Sequence, residues 1–185
     1  MRQVTGLSPD LRFDAWYASL QASLRSLDRI AGDFERETGI PLAWYEVLIR
    51  AYKEEGQRIR MSELATTLLL SRGGATRLVD RMEEAGLITR EIPPEDRRAT
   101  YAVLTEKGRE EAERGKPIHF EIVQRHFGAF LTEEEAHVLV RASLKLLQNE
   151  GEQCAWLVDR LGDCAENCTC VDGGSCEVHA GHAAH

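Results

Sequence analysis

What the chain lacks narrows the field first. None of its five cysteines falls before position 154 of 185, so the main body is not a disulfide-stapled secreted fold. No apolar run approaches the roughly 20 residues that cross a bilayer. Residues 1–14 lack the apolar stretch of about 7–15 residues that marks a secretion leader, and the expected compartment is the cytosol. There is no Gly-rich phosphate loop, no His-Glu-x-x-His and no Gly-x-Ser-x-Gly. His119 and Glu121 are two apart and diverge on a helix, so no enzyme is expected.

Positive charge is also scarce. Lys and Arg total 23 against 31 Asp and Glu, a formal net charge of −8. That balance opposes a nucleic-acid partner unless the cations are gathered on one surface. Residues 58–104 hold eight arginines, no lysine and seven acids, a net of only +1 (8 − 7). Where those arginines point therefore decides the matter.

What is present is mostly helical. Phe13, Trp16, Tyr17, Leu20, Leu24, Leu27, Ala31 and Phe34 recur every three or four residues and form one apolar stripe, stopped by Gly39 and Pro41. A second helix is expected over 43–54. Ser62 is placed to cap a short helix over 63–69, and Ser71 to cap another over 72–85 that Gly86 ends. Two strands follow, 87–92 and 100–104, around a loop carrying Arg97 and Arg98. Helix, turn, helix and a β-hairpin with a basic tip is the order of a winged helix. Thr105 caps a long helix running toward Phe130, in which Gly115 and Pro117 should cause a bend or break. The last helix opens with the capping box Thr132 to Glu135 and keeps an interrupted apolar spacing to Leu161.

On the helix over 72–85, Ala75, Leu78, Val79 and Met82 share an inner face, while Gly73, Thr76, Arg77 and Asp80 share the outer one. Such a helix suits the major groove. Arg72 and Arg77 would meet base edges or phosphates, and Ser71 and Thr76 would donate to phosphate oxygens. Arg97 and Arg98 would reach a narrow minor groove. Asp96 would hold the wing loop by accepting hydrogen bonds.

These residues carry a family resemblance. Met61-Ser62-Glu63-Leu64-Ala65, Leu70-Ser71-Arg72 and Thr76-Arg77-Leu78-Val79-Asp80-Arg81-Met82-Glu83 resemble the MarR family of bacterial regulators. So do Gly86-Leu87-Ile88 and the run from Asp96-Arg97-Arg98 to Leu104-Thr105-Glu106-Lys107-Gly108. The resemblance extends from about Phe13 to Leu161. It implies a mainly α fold with a small β-hairpin wing, a winged helix-turn-helix flanked by long dimerisation helices. It implies a homodimer on a palindromic operator in double-stranded DNA, usually a repressor of its own or a neighbouring gene. By position, Arg72, Thr76 and Arg77 match family base- and phosphate-contacting residues, Arg97 and Arg98 match the wing, and Asp96 its structural acid.

The expected organisation is N-terminal dimerisation and scaffold helices over 10–57, a DNA-binding region over 58–105, C-terminal dimerisation helices over 106–162, and a tail over 163–185. Two kinds of signal remain open. One is an organic ligand between the dimerisation helices and the DNA-binding lobe, for which Trp16, Tyr17, Trp44, Tyr45 and His119 are candidates. The other is the tail, which departs from the family pattern. Cys164, Cys168, Cys170, Cys176, His179, His182 and His185 supply thiolate and imidazole, the donors of zinc and copper(I). The same thiols suit oxidation sensing, and the tail could also be inert. Cys154 reads as a small packed residue. A metal- or thiol-buffering protein on a winged-helix scaffold is the alternative function.

Overall fold

A computed structural model describes residues 10–94 and 96–148. The chain divides into two compact units, one ending at Phe130 and one beginning at Leu131. The Cys/His segment, with Cys154, lies outside the described residues.

In the first unit, α1 (Leu11–Thr38) starts at Asp10, whose carboxylate accepts the Arg12 N–H, and ends at Gly39 in the left-handed region (φ 79°). Glycine carries that conformation without a Cβ penalty. α1 buries only the C-terminal part of its stripe, at Ile30 and Phe34. There it meets α2 (Leu42–Lys53) and α5 (Glu106–His126) in a small core with Leu42, Tyr45 and Ile122. Asp33 adds a polar tie from α1 to α5, accepting from His126 Nε2 at 2.7 Å and from Arg125. His126 and then Arg36 hold the Asp33 carboxyl well below the usual carboxylate range.

The opposite side of α2 supplies Val47, Leu48 and Ala51 to the larger core. This core is built on α3 (Met61–Thr67), α4 (Arg72–Glu84) and a three-stranded antiparallel sheet. Its strands are β1 (Arg58–Arg60), β2 (Ile88–Glu91) and β3 (Tyr101–Leu104), in the order β1-β3-β2. Ile88 stands opposite Leu104, and Ile59 opposite Ala102.

Four expectations are corrected. β1 adds a third strand to the expected hairpin, because three residues are too few to display alternation. Ser62 does not cap α3. The helix starts at Met61, whose N–H donates to the Thr100 carbonyl at 2.9 Å, so the wing serves in place of a side-chain cap. α3 also ends at Thr67, where the Thr66 and Thr67 hydroxyls bond back to Ser62 and Glu63 carbonyls. α5 runs through Pro117 without interruption and ends at His126, followed by a 3-10 turn over Gly128–Phe130. Gly115 is there for packing: a Cβ would sit 2.6 Å from Tyr45 Cε2.

Caps were otherwise read correctly. Ser71 Oγ accepts the Gly74 N–H, and Thr105 Oγ1 accepts that of Gly108, both at 3.1 Å. Gly86 follows α4 with φ 71°. In the second unit, α6 (Glu133–Gln148) opens on the expected box: the Thr132 N–H donates to Glu135 at 2.8 Å and the Glu135 N–H returns to Thr132 Oγ1. The Thr132 N–H and then its hydroxyl, both donating to Glu135 Oε2, lower the Glu135 carboxyl below its ordinary value.

Candidate nucleic-acid interface

α4 is held by its apolar side. Ala75, Leu78, Val79 and Met82 are buried, which turns Arg72, Gly73, Thr76 and Arg77 outward, and all four are exposed. Ser71 spends its oxygen as acceptor on the helix, and its O–H stays available as a donor. Thr76 differs from expectation, because its hydroxyl already donates to the Arg72 carbonyl at 2.9 Å. It therefore offers a methyl group and an acceptor outward, and must turn before it can donate to phosphate.

The wing stands beside the start of α4. Asp96 fixes it as expected: Oδ1 accepts the Arg98 N–H and its main-chain oxygen accepts the Ala99 N–H, each at 3.0 Å. Its second carboxylate oxygen takes Arg60 Nη2 at 3.0 Å. Arg97 and Arg98 are exposed. Arg60, Ser62, Arg72, Thr76 and Arg98 line a cleft of about 400 Å³ between the starts of α3 and α4 and the base of the wing. Arg72 and Arg98 bring two guanidinium groups without an acidic partner to this concavity, an arrangement suited to a phosphate.

The arginines divide into two sets. Arg58 pairs with Glu91, Arg60 with Asp96, and Arg90 with Asp80 and Glu83. Among the described residues, Arg72, Arg77, Arg81, Arg97 and Arg98 have no acidic partner, Arg81 donating instead to the Arg77 carbonyl. Internal pairing thus consumes four of the acids and leaves a cationic face that the net of +1 concealed.

Arg60 and Arg90 are functional candidates that the sequence reading passed over. Arg60 sits in a strand too short to recognise. Arg90 had a legible signal: it lies two residues after Ile88 on β2, so strand alternation puts both toward α4.

The five proposed ligand-pocket residues do not assemble as one group. The Tyr45 and His119 rings meet tilted at 46° with centroids 5.1 Å apart, and the Phe34 centroid lies 4.7 Å from that of Tyr45. Burial lowers the His119 pKa, partly offset by Glu46, and pushes the Tyr45 hydroxyl up to about 12. Trp44 packs instead against the larger core. Trp16 and Tyr17 neighbour each other on the exposed part of α1. No group of three or more metal-binding side chains occurs among the described residues, and none of their helices is long and apolar enough to cross a membrane.

Comparison with known proteins bears on this geometry. The family model described as MarR family matches residues 38–99. The chain is 34% identical over 97 residues to the transcriptional repressor MprA of Escherichia coli, covering 52% of this chain and 55% of that one. AbsC, a MarR family transcriptional regulator from Streptomyces coelicolor, superposes with a TM-score of 0.70 at 32% identity, covering 78% of this chain and 97% of AbsC. Sco3205 from the same organism, a MarR family regulator solved in complex with DNA, gives 0.67 at 27% identity over 73% of this chain and 84% of its own. All three are transcriptional regulators by name. With nearly the whole of AbsC covered at 32% identity, the chain belongs to the MarR family of winged-helix transcriptional regulators.

Proposed function

We propose that this protein is a homodimeric repressor that binds a palindromic operator, with α4 in the major groove and the wing along the backbone of each half-site. One observation carries the reading: Arg72 on α4 and Arg98 on the wing line one cleft, and these two with Arg77 and Arg97 are exposed and spared from ion pairing among the described residues. Arg77 is the base-reading residue. Ser71, Arg72 and Thr76 hold the backbone, Arg97 and Arg98 enter the minor groove, and Asp96 sets the wing. The name of MprA and the DNA complex of Sco3205 support repression and DNA binding.

Dimerisation is supported by α1. Trp16, Leu24 and Leu27 are 57%, 54% and 55% exposed, an apolar stripe that a second copy would cover. One winged helix offers few contacts, and two spaced by about a helical turn supply specificity. We assign dimerisation to α1 with the helices of 106–162, and DNA binding to 58–105. A ligand at Tyr45 and His119, or metal at the tail, would release DNA only by favouring a dimer with the wrong half-site spacing.

The test is selection of duplexes from a random pool by the full chain, followed by footprinting. A protected palindrome with two half-sites about ten base pairs apart is expected. Enrichment of no sequence, or of a single unpaired half-site, would overturn the reading.

A further inference from the structure

We propose that Arg90 is a positioning residue for DNA reading: it holds Asp80 and Glu83 of α4 so that Arg77 stays uncommitted and the two carboxylates are withheld from phosphate. This rests on α4 reading DNA.

The charges on α4 are in conflict. Asp80 follows Arg77 by three residues, a spacing at which opposite charges on a helix pair readily. Left to themselves, the two would form a surface ion pair and Arg77 would meet DNA already neutralised. Asp80 and Glu83 would also add negative charge to a surface that approaches phosphates, which lowers affinity.

Arg90 resolves both problems from a different element. Its Nη2 lies 2.5 Å from Asp80 Oδ1 and 3.3 Å from the Thr76 carbonyl, and its Nη1 lies 2.6 Å from Glu83 Oε2. The Arg90 main-chain N–H completes the set, donating to Glu83 Oε1 at 3.1 Å. One planar fork thus spans three residues of α4, a reach and geometry that lysine does not reproduce. The strand pleat aims it there, since Arg90 shares with Ile88 the face of β2 that looks onto α4.

Stability alone is a poor account of this arrangement. The Asp80 and Glu83 side chains are 46% and 38% exposed and that of Arg90 27%, and ion pairs this accessible to solvent add only modestly to folding. Their consequence for Arg77 is larger. Arg77 has no acidic partner among the described residues although Asp80 is one turn away, because Asp80 is held by Arg90.

The test uses a duplex enriched by the wild-type full chain from a random pool, with affinity read by fluorescence anisotropy across a potassium chloride series. Arg90→Ala should weaken binding of this duplex about tenfold and relax base preference at the position that Arg77 reads in each half-site. Adding Asp80→Asn and Glu83→Gln to Arg90→Ala should recover most of that loss, because the carboxylates that capture Arg77 and repel phosphate are gone. A merely structural arginine would show no such recovery, since removing its acceptors cannot restore its bonds. If Arg90→Ala loses cooperative thermal unfolding, the same comparison is made in Arg90→Lys, which keeps charge and loses the fork. Wild-type binding with an unchanged variant, or a loss that the carboxylate substitutions leave in place, overturns this inference alone. A wild-type chain that enriches no duplex overturns the DNA reading and this inference with it.

Discussion

Arg60 and Asp96 close the base of the wing: Arg60 Nη2 lies 3.0 Å from Asp96 Oδ2, and the other carboxylate oxygen accepts the Arg98 N–H. One acid therefore ties the residue before α3 to the residue that carries a wing guanidinium. Both partners are nearly half exposed, so the pair should add only about 0–1 kcal/mol to folding. Its effect on binding is different in kind, because a wing backbone already fixed at Arg98 has less freedom to lose on meeting DNA. Asp96→Ala should cost about 1 kcal/mol of operator affinity, the order of fixing one residue's backbone, with a nearly unchanged melting temperature. Anisotropy and thermal melts on the same samples separate the two. A variant that melts much earlier yet binds as wild type would contradict this role.

The two free arginine sets predict different signatures on DNA. Arg77→Ala should cost roughly 1–3 kcal/mol and relax base preference at one position in each half-site. Arg98→Ala should weaken binding evenly across sequences and reduce the salt slope by about one unit, as expected for a phosphate-proximal cation. Repeating the selection with each variant checks both. If Arg77→Ala leaves the selected motif intact, α4 does not read bases through that residue.

Much of this site was legible in sequence because it depends on local geometry. The inward set of α4 follows from helical spacing, and Ser71, Thr105 and the Thr132 box are capping chemistry between residues three apart. Some misses are local, the Thr66, Thr67 and Thr76 hydroxyls turning back on carbonyls four residues earlier, but others involve partners distant along the chain. α3 starts where the Thr100 carbonyl receives the Met61 N–H, which no local signal at Ser62 reveals. Gly115 is small because a ring from α2 lies over it, and Arg90 matters through acids on another element. The +1 balance of residues 58–104 was uninformative for the same reason: pairing across the fold decides which charges remain.

Two glycines of α5 give a graded packing prediction. At Gly115 a Cβ would lie 2.6 Å from the Tyr45 ring, whereas at Gly108 it would lie 2.0 Å from the Leu87 main-chain oxygen. A ring can shift a little in its core, but Leu87 leads into β2 and its oxygen also accepts the Thr105 N–H. Gly115→Ala should therefore cost about 1–3 kcal/mol, the usual range for overpacking, and Gly108→Ala more. Urea unfolding of both variants tests the order. Equal losses would mean that the α4–β2 junction yields as easily as the side-chain core.

His119 predicts an acid-sensitive step. Burial against Phe34 and Tyr45 lowers its pKa beneath the ordinary 6.5, Glu46 opposing in part. The unfolded chain then binds a proton before the folded one does. Stability from this residue is fully present above about 6.5 and is lost as pH falls from there toward the folded value. His119→Gln should flatten that portion of the stability–pH curve. Unfolding followed from pH 8 to about pH 5 in both proteins is the check, and a wild-type curve with no slope below 6.5 would refute it.

The tail supports a last prediction, from donor chemistry alone. Cys164, Cys168, Cys170, Cys176, His179 and His182 bring thiolate and imidazole within a short stretch that holds no lysine or arginine, a donor set suited to zinc or copper(I). No residue proposed to touch DNA lies in it. Removing residues 163–185 should therefore leave operator affinity unchanged and abolish any response to added zinc or copper(I). Metal binding to these thiols would also release protons, so titration calorimetry in buffers of different ionisation enthalpy should show a buffer-dependent heat only in the full chain. Oxidation gives a separable outcome, an operator response to peroxide without metal that vanishes with the same deletion. A metal response that survives truncation would place the sensor within residues 1–162.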